Sequence, residues 1–176
     1  MRRSITISWI GGGLGNQLSE YAVGYALSKE RNGCFYLDTT YCNVRGNRPY
    51  ELDKLNIYGR GIVQFPPFMQ KALATEWLGR IVMRLQYEFQ IHMPFVVLEH
   101  SEDSWQFHPN RFTEVIERKL LYMSGYWQSE KYFAKYKQEL LRQFSPKEGT
   151  LSSRALSFIA SVSTENSVAI HIRRGD

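Results

Sequence analysis

Four glycines in five consecutive positions, within residues 11–15, separate two segments of different hydrophobic period. The residues before them, Ile5 to Ile10, are rich in β-branched side chains, which predicts a buried strand. From Asn16 the apolar residues recur at helical spacing, and the predicted helix ends at about Arg31, before an Asn-Gly pair. A second strand is predicted from Cys34 to Asp38. A strand, a helix and a strand form a βαβ unit, so the sequence predicts an α/β fold with an open parallel sheet and helices on both faces.

The patterns in the rest of the chain are weaker and fix only approximate positions. Residues 39–61 are rich in turn-forming residues and are predicted to be loop-like. Ser129 is a predicted helix cap. The further predicted elements are helices over residues 69–90, 130–144 and 151–163 and strands over residues 95–98, 119–123 and 167–172.

Composition excludes several classes of protein. The chain has 176 residues and a formal net charge of +5, from 22 Lys and Arg against 17 Asp and Glu. The basic residues are spread along the chain, which argues against nucleic-acid binding. No apolar run approaches the roughly 20 residues that span a bilayer, and the N-terminus lacks the pattern of a secretory signal. We therefore expect a cytoplasmic protein with reduced thiols at Cys34 and Cys42.

The glycine-rich segment itself indicates a binding site. Glycines let the backbone approach a ligand, and the following helix offers unpaired N–H groups and a partial positive charge. Both properties suit a phosphate or a polar sugar. Asn16 occupies the position of the third glycine of a dinucleotide fingerprint, and the Gly-Lys-Ser/Thr of a P-loop is missing. The alternative is a tight turn that binds no ligand.

A second candidate site lies at residues 171–176, with the sequence His-Ile-Arg-Arg-Gly-Asp. Alternation along the predicted strand places His171 and Arg173 on one face and Arg174 on the other. A guanidinium at the carboxyl end of a strand suits bidentate contact with a phosphate. Asp176 could orient an arginine or accept a proton from a hydroxyl group. The alternative is a solvated cluster of Arg and Asp.

Both segments occur in a longer ordered set of short motifs. The set comprises residues 12–18 followed by Tyr21-Ala22, residues 50–52, residues 55–57, residues 125–133 and residues 171–176. In these motifs the sequence resembles the bacterial α-1,2-fucosyltransferases, from about Ile5 to the last residue. It is also similar to the wider α-1,2/α-1,6/O-fucosyltransferase superfamily, which shares the His-x-Arg-Arg motif.

The resemblance implies a two-lobed GT-B glycosyltransferase with Rossmann-like lobes. Such an enzyme transfers L-fucose from GDP-β-L-fucose to the 2-hydroxyl of a terminal β-galactose, as in lipopolysaccharide or capsule precursors. It inverts the anomeric carbon and needs no metal or other cofactor. Residues 1–165 are then expected to form the N-terminal, acceptor-side lobe, and residues 166–176 to begin the donor-binding region, with the rest of the second lobe absent from this chain. The resemblance is compatible with a peripheral location at the inner membrane.

The family's functional residues carry over onto both candidate segments. Arg173 would bind the β-phosphate of the departing GDP, because without a metal an arginine must stabilise that charge. The resemblance does not identify the catalytic base; Asp176 is one candidate, and a residue beyond position 176 is the alternative. The supporting residues of the donor site would be Gly12, Gly13, Gly15 and Asn16 on the glycine turn, together with His171 and Arg174.

Two positions depart from the family pattern. Ser19 and Glu20 stand where the family usually has an aromatic residue and a glutamine. Glu20 is interpreted as a solvated surface residue, with a position near the cleft as the alternative. Tyr126 and Trp127 are interpreted as core residues, with a stacking platform for a sugar as the alternative.

Two other functions stay open on the sequence. The chain could be a non-catalytic fragment that only binds an acceptor. It could also be a nucleotide-binding Rossmann oxidoreductase, with Asp38 as the acidic residue about 20 residues beyond the glycines.

Overall fold

The computed structural model describes residues 4–43, 48–58, 62–63, 96–99, 106–110, 112–113, 116–163, 166–168, 170 and 172. Its centre is a five-stranded sheet in the order β3-β2-β1-β5-β4, and all neighbouring strands are parallel. The strands are β1 (Ile5–Trp9), β2 (Cys34–Asp38), β3 (Ile62–Val63), β4 (Val96–Leu98) and β5 (Leu120–Ser124). The helices are α1 (Leu14–Glu30), α2 (Lys137–Gln143) and α3 (Ser153–Ser163), and short 3-10 turns cover Tyr41–Asn43, Leu52–Lys54, Glu130–Tyr132 and Ala134–Tyr136.

Helix α1 lies directly on the sheet. The hydroxyl of Ser8 on β1 donates a hydrogen bond of 2.7 Å to the carbonyl oxygen of Glu20. A Cβ atom at Gly24 would lie 2.5 Å from the ring of Phe35 on β2, so only glycine allows this close approach. Two hydrophobic clusters contain α1 side chains: one includes Ile10, Tyr21, Tyr25, Phe35, Leu37, Leu52 and Leu140, and the other Val23, Leu27, Val97, Leu121, Met123 and Trp127.

The other side of α1 is covered by the segment that contains α2. The phenol of Tyr25 donates a hydrogen bond of 2.5 Å to Glu139, and the ring of Tyr21 packs edge-on against Phe144 with centroids 5.8 Å apart. The hydroxyl of Tyr21 also hydrogen-bonds Gln143. Covered on both sides, α1 buries every residue from 20 to 28.

Much of the predicted architecture is confirmed. The βαβ unit forms, the sheet is parallel, and four strands lie within a residue or two of their predicted positions. The two residues of β3 fall just beyond the predicted loop over residues 39–61, in a stretch for which no element was predicted. A strand this short carries no readable period. The predicted helix over residues 69–90 lies outside the described residues.

Two predictions near the C-terminus are wrong. The predicted helix over residues 130–144 is broken into two 3-10 turns and the short α2, and Ser129 makes no side-chain cap hydrogen bond. The break falls at Phe133, whose backbone is not helical (φ −131°, ψ 9°) and whose side chain packs against both hydrophobic clusters. Tertiary packing therefore overrides the local helical pattern. The described residues within 167–172 form no strand.

Candidate functional site

The carboxyl ends of the parallel strands converge on one edge of the sheet. The glycine turn follows β1 there, residues 39–43 follow β2, and residues 125–128 follow β5. Helix α1 begins at the same edge with Leu14. Open α/β sheets bind ligands at this edge, so it is the candidate functional site.

The backbone of the glycine turn is set by Gly12. Its φ angle of +67° lies in the left-handed region, and a Cβ atom there would lie 2.7 Å from the side-chain nitrogen of Asn16. Gly13 is the N-cap of α1 and provides no side-chain cap. A Cβ atom at Gly13 or Gly15 would meet nothing within 4 Å. The start of α1 therefore combines uncapped backbone N–H groups with open space, which suits an anionic or polar ligand.

Gln17 fixes the turn to a neighbouring loop, a role that was not predicted from the sequence. Its side-chain nitrogen donates to the carbonyl oxygens of Gly12 (2.9 Å) and Pro49 (2.8 Å). Its oxygen accepts a hydrogen bond of 2.9 Å from the backbone N–H of Glu51. Gln17 is fully buried. The buried amide of Gln17 thus donates two hydrogen bonds and accepts one, which explains why glutamine follows Asn16 here. In the sequence, the only sign of this role is a glutamine close to the glycines.

Asn16 connects the turn to the segment after β5. Its side-chain oxygen accepts a hydrogen bond of 3.0 Å from the amide of Gln128. The segment after β5 is itself held by Glu99, whose carboxylate accepts a hydrogen bond of 2.7 Å from the backbone N–H of Trp127. The structure thus brings two of the family motifs together, residues 12–18 and residues 125–133.

Glu20 is buried and not solvated, which corrects the interpretation from sequence. No part of the residue is accessible to solvent. One carboxyl oxygen, Oε2, accepts a hydrogen bond of 2.8 Å from the backbone N–H of Gly11, and the other, Oε1, has no partner among the described residues. Burial, aided by the nearby charge of Glu99, raises the pKa of Glu20 to about 9. Glu20 is therefore a neutral acid at pH 7.

Asp38 is occupied by contacts within the protein. One carboxylate oxygen accepts a hydrogen bond of 2.9 Å from the backbone N–H of Thr40, and the other accepts one of 2.7 Å from the hydroxyl of Tyr122. Only 2% of Asp38 is exposed. Burial and the adjacent Asp38 carboxylate raise the pKa of Tyr122 far above its usual range. Tyr122 therefore keeps its proton and continues to donate the hydrogen bond to Asp38. These contacts leave Asp38 poorly placed to bind a ribose, which counts against the oxidoreductase alternative.

The two aromatic residues after β5 differ in environment. Trp127 is 1% exposed and belongs to a hydrophobic cluster, as interpreted from sequence. Tyr126 is 41% exposed at the sheet edge, which corrects its interpretation as a core residue. Trp127 therefore packs in the core, whereas its neighbour Tyr126 is accessible to a ligand.

The other predicted site residues, His171, Arg173, Arg174 and Asp176, lie outside the described residues. Within the described residues, no group of three or more His, Cys, Asp or Glu side chains could hold a metal ion. No described helix is long and apolar enough to cross a membrane.

The parallel sheet and the glycine turn at its carboxyl edge define an α/β protein with a Rossmann-like arrangement. Compared with known proteins, the chain is similar to an alpha-1,2-colitosyltransferase from Escherichia coli, with 32% identity over 98% of this chain. The chain spans 55% of that protein's length. No family model and no solved structure matches the chain.

Proposed function

We propose that this chain is the acceptor-side lobe of an inverting glycosyltransferase. The proposed reaction moves L-fucose from GDP-β-L-fucose to the 2-hydroxyl of a terminal galactose in a glycan. The observation that carries the proposal is the similarity to a colitosyltransferase over almost the whole chain. The ordered motifs, which resemble those of the α-1,2-fucosyltransferases, are the second support.

The geometry of the glycine turn is compatible with this function. No side chain caps the start of α1, and the Cβ positions of Gly13 and Gly15 are surrounded by open space. The hydrogen bond between Asn16 and Gln128 joins the first turn of α1 to the segment after β5. A sugar nucleotide offers phosphates and hydroxyls that uncapped backbone N–H groups bind.

The proposed chemistry needs one leaving-group stabiliser and one base. The acceptor hydroxyl oxygen attacks the anomeric carbon, and the bond from that carbon to the diphosphate oxygen breaks. The hydroxyl proton passes to a base, for which Asp176 is the candidate. Arg173 would stabilise the negative charge that develops on the leaving GDP, with His171 and Arg174 in support. No metal or other cofactor takes part in this proposal.

A second candidate donor is an activated colitose. The similar protein from E. coli is named an alpha-1,2-colitosyltransferase, so its own reaction transfers colitose. The same fold and turn would serve either sugar, and donor choice would then depend on contacts to the transferred sugar. A chain that binds the acceptor without catalysing transfer is the further alternative.

The test is an assay of the protein encoded by the complete gene, beside the 176-residue chain. Each is given GDP-β-L-fucose or a nucleotide-activated colitose with lactose as acceptor. We expect release of GDP and an α-linked product, which NMR of the anomeric proton identifies. Preference for the colitose donor would select the second candidate. Transfer by neither protein from either donor would contradict the proposal, and turnover by the 176-residue chain would exclude the non-catalytic alternative.

A further inference from the structure

Three aromatic rings from three adjacent strands meet at the candidate site. Trp9 is the last residue of β1, Tyr41 follows β2, and Tyr126 follows β5. The ring centroid of Trp9 lies 5.1 Å from that of Tyr41 and 6.2 Å from that of Tyr126. Tyr41 and Tyr126 are each 41% exposed, so the cluster is accessible to solvent. We call Trp9, Tyr41 and Tyr126 the aromatic platform.

The platform rests on the backbone of the glycine turn. A Cβ atom at Gly11 would lie 2.5 Å from the indole ring of Trp9 and 2.9 Å from the ring of Tyr41. The two rings can approach the turn only because Gly11 has no side chain. The backbone N–H of Gly11 in turn donates a hydrogen bond to the buried side chain of Glu20. Burial, and after it the charges of Glu20 and Tyr41 when ionised, raises the pKa of the Tyr126 phenol. The rings are therefore supported by buried groups and are not a chance surface contact.

The position of the platform points to a sugar. The C–H groups on one face of a pyranose pack well against aromatic rings, while its hydroxyls need polar partners. The platform supplies the rings, and polar side chains are close in sequence: Gln128 lies two residues after Tyr126, and its hydrogen-bond partner Asn16 lies in the first turn of α1.

We propose that the aromatic platform binds the terminal galactose ring of the acceptor glycan by stacking. The inference rests on the proposed function, which it extends by assigning a subsite for the acceptor sugar. The departing nucleotide is expected on the other side of the glycine turn, against the N–H groups of α1. Substitutions in the platform should then affect acceptor binding and leave nucleotide binding unchanged.

The test measures binding of lactose and of GDP separately, using the protein encoded by the complete gene. Saccharide NMR gives the Kd of lactose, and calorimetry gives the Kd of GDP. Tyr126→Ala should raise the lactose Kd about tenfold through the lost ring contact. Tyr126→Phe keeps the ring and should stay within about twofold. Tyr58→Ala removes a ring that is 73% exposed and lies outside the platform, so it should also have no effect.

Three results would overturn the proposal. They are an unchanged lactose Kd in a folded Tyr126→Ala protein, no lactose binding by the wild type, or an effect on GDP alone, which would assign the rings to the nucleotide base. Tyr41→Ala provides an independent variant if Tyr126→Ala fails to fold. Lactose binding that depends on Tyr126 without any sugar transfer would contradict the proposed function and leave the platform intact.

Discussion

The carboxyl group of Glu20 accepts a hydrogen bond of 2.8 Å from the backbone N–H of Gly11, entirely shielded from solvent. In the α-1,2-fucosyltransferases, which the sequence resembles, a glutamine usually occupies the position of Glu20. A protonated glutamate has nearly the shape of glutamine and retains one oxygen that accepts a hydrogen bond. The turn is thus held by a neutral group, as it would be with glutamine.

The first prediction concerns the pH dependence of stability. Because the folded-state pKa of Glu20 is about 9 against an ordinary 4.5, the folded chain holds a proton that the unfolded chain releases. The contribution of Glu20 is fully present below pH 4.5 and declines as the pH rises towards 9. At pH 7 the free energy of unfolding is about 3 kcal/mol lower than it would be with Glu20 protonated in both the folded and the unfolded chain. Glu20→Gln removes this titration, so its advantage over the wild type should grow from pH 5 to pH 8.

Urea unfolding of both proteins at several pH values measures this effect. The titratable groups that pKa effects place near Glu20 among the described residues include Glu99, Tyr126 and Cys42, and Glu99 is the only carboxyl group of these three. Glu99→Gln is therefore the matched control, and it should leave most of the pH dependence in place. Parallel stability curves for the wild type and Glu20→Gln would show that Glu20 is ionised in the folded protein.

A second prediction separates two glycines of the same turn. Gly12→Ala forces an alanine into the left-handed region and against Asn16, so it should lower the free energy of unfolding by about 1–2 kcal/mol. Gly15→Ala is the control, since Gly15 lies within α1 with nothing near its Cβ position. Alanine should stabilise that position by about 0.5–1 kcal/mol. The Tm of Gly12→Ala should therefore fall and that of Gly15→Ala should rise. Equal shifts in Tm would refute the claim that the left-handed backbone at Gly12 requires glycine.

The third prediction concerns the contact between Asn16 and Gln128. A double-mutant cycle with Asn16→Ala and Gln128→Ala should give a coupling energy of about 1 kcal/mol in unfolding experiments. If this bond also positions the donor, each single variant should raise the KM for the sugar nucleotide, and the double variant should be little worse than either. Additive losses would show that the two side chains act independently.

The fourth prediction tests the arginine taken from the family motif. In the protein encoded by the complete gene, Arg173→Ala should reduce sugar transfer by about 100-fold to 1,000-fold, the usual cost of losing one charge-stabilising donor. Arg173→Lys keeps the charge without the bidentate geometry and should recover part of the activity. Arg154→Ala on the exposed face of α3 serves as the control for loss of one positive charge. Full activity of Arg173→Ala would remove Arg173 from the proposed mechanism.

The fold was largely predictable because the glycine turn separates a strand period from a helix period. The burial of Glu20 was not predictable, since a glutamate within a helix is normally solvated and only the packing of α1 on both sides makes this position internal. The break at Phe133 was missed for a similar reason, because long-range packing overrides a local helical pattern. Tyr126 and Trp127 are adjacent in sequence, and only their three-dimensional environments distinguish an exposed ring from a buried one.

The strand order has a consequence for synthesis on the ribosome. β1 lies between β2 and β5, so Ile5 pairs with Cys34 on one side and Leu120 on the other. During translation, one edge of β1 stays unpaired until residues 120–124, which form β5, have been synthesised. The 86 residues from the end of β2 at Asp38 to the end of β5 at Ser124 take roughly 4–17 s to add at ordinary elongation rates. Over this interval the nascent chain has an unpaired strand edge, which favours association with other chains.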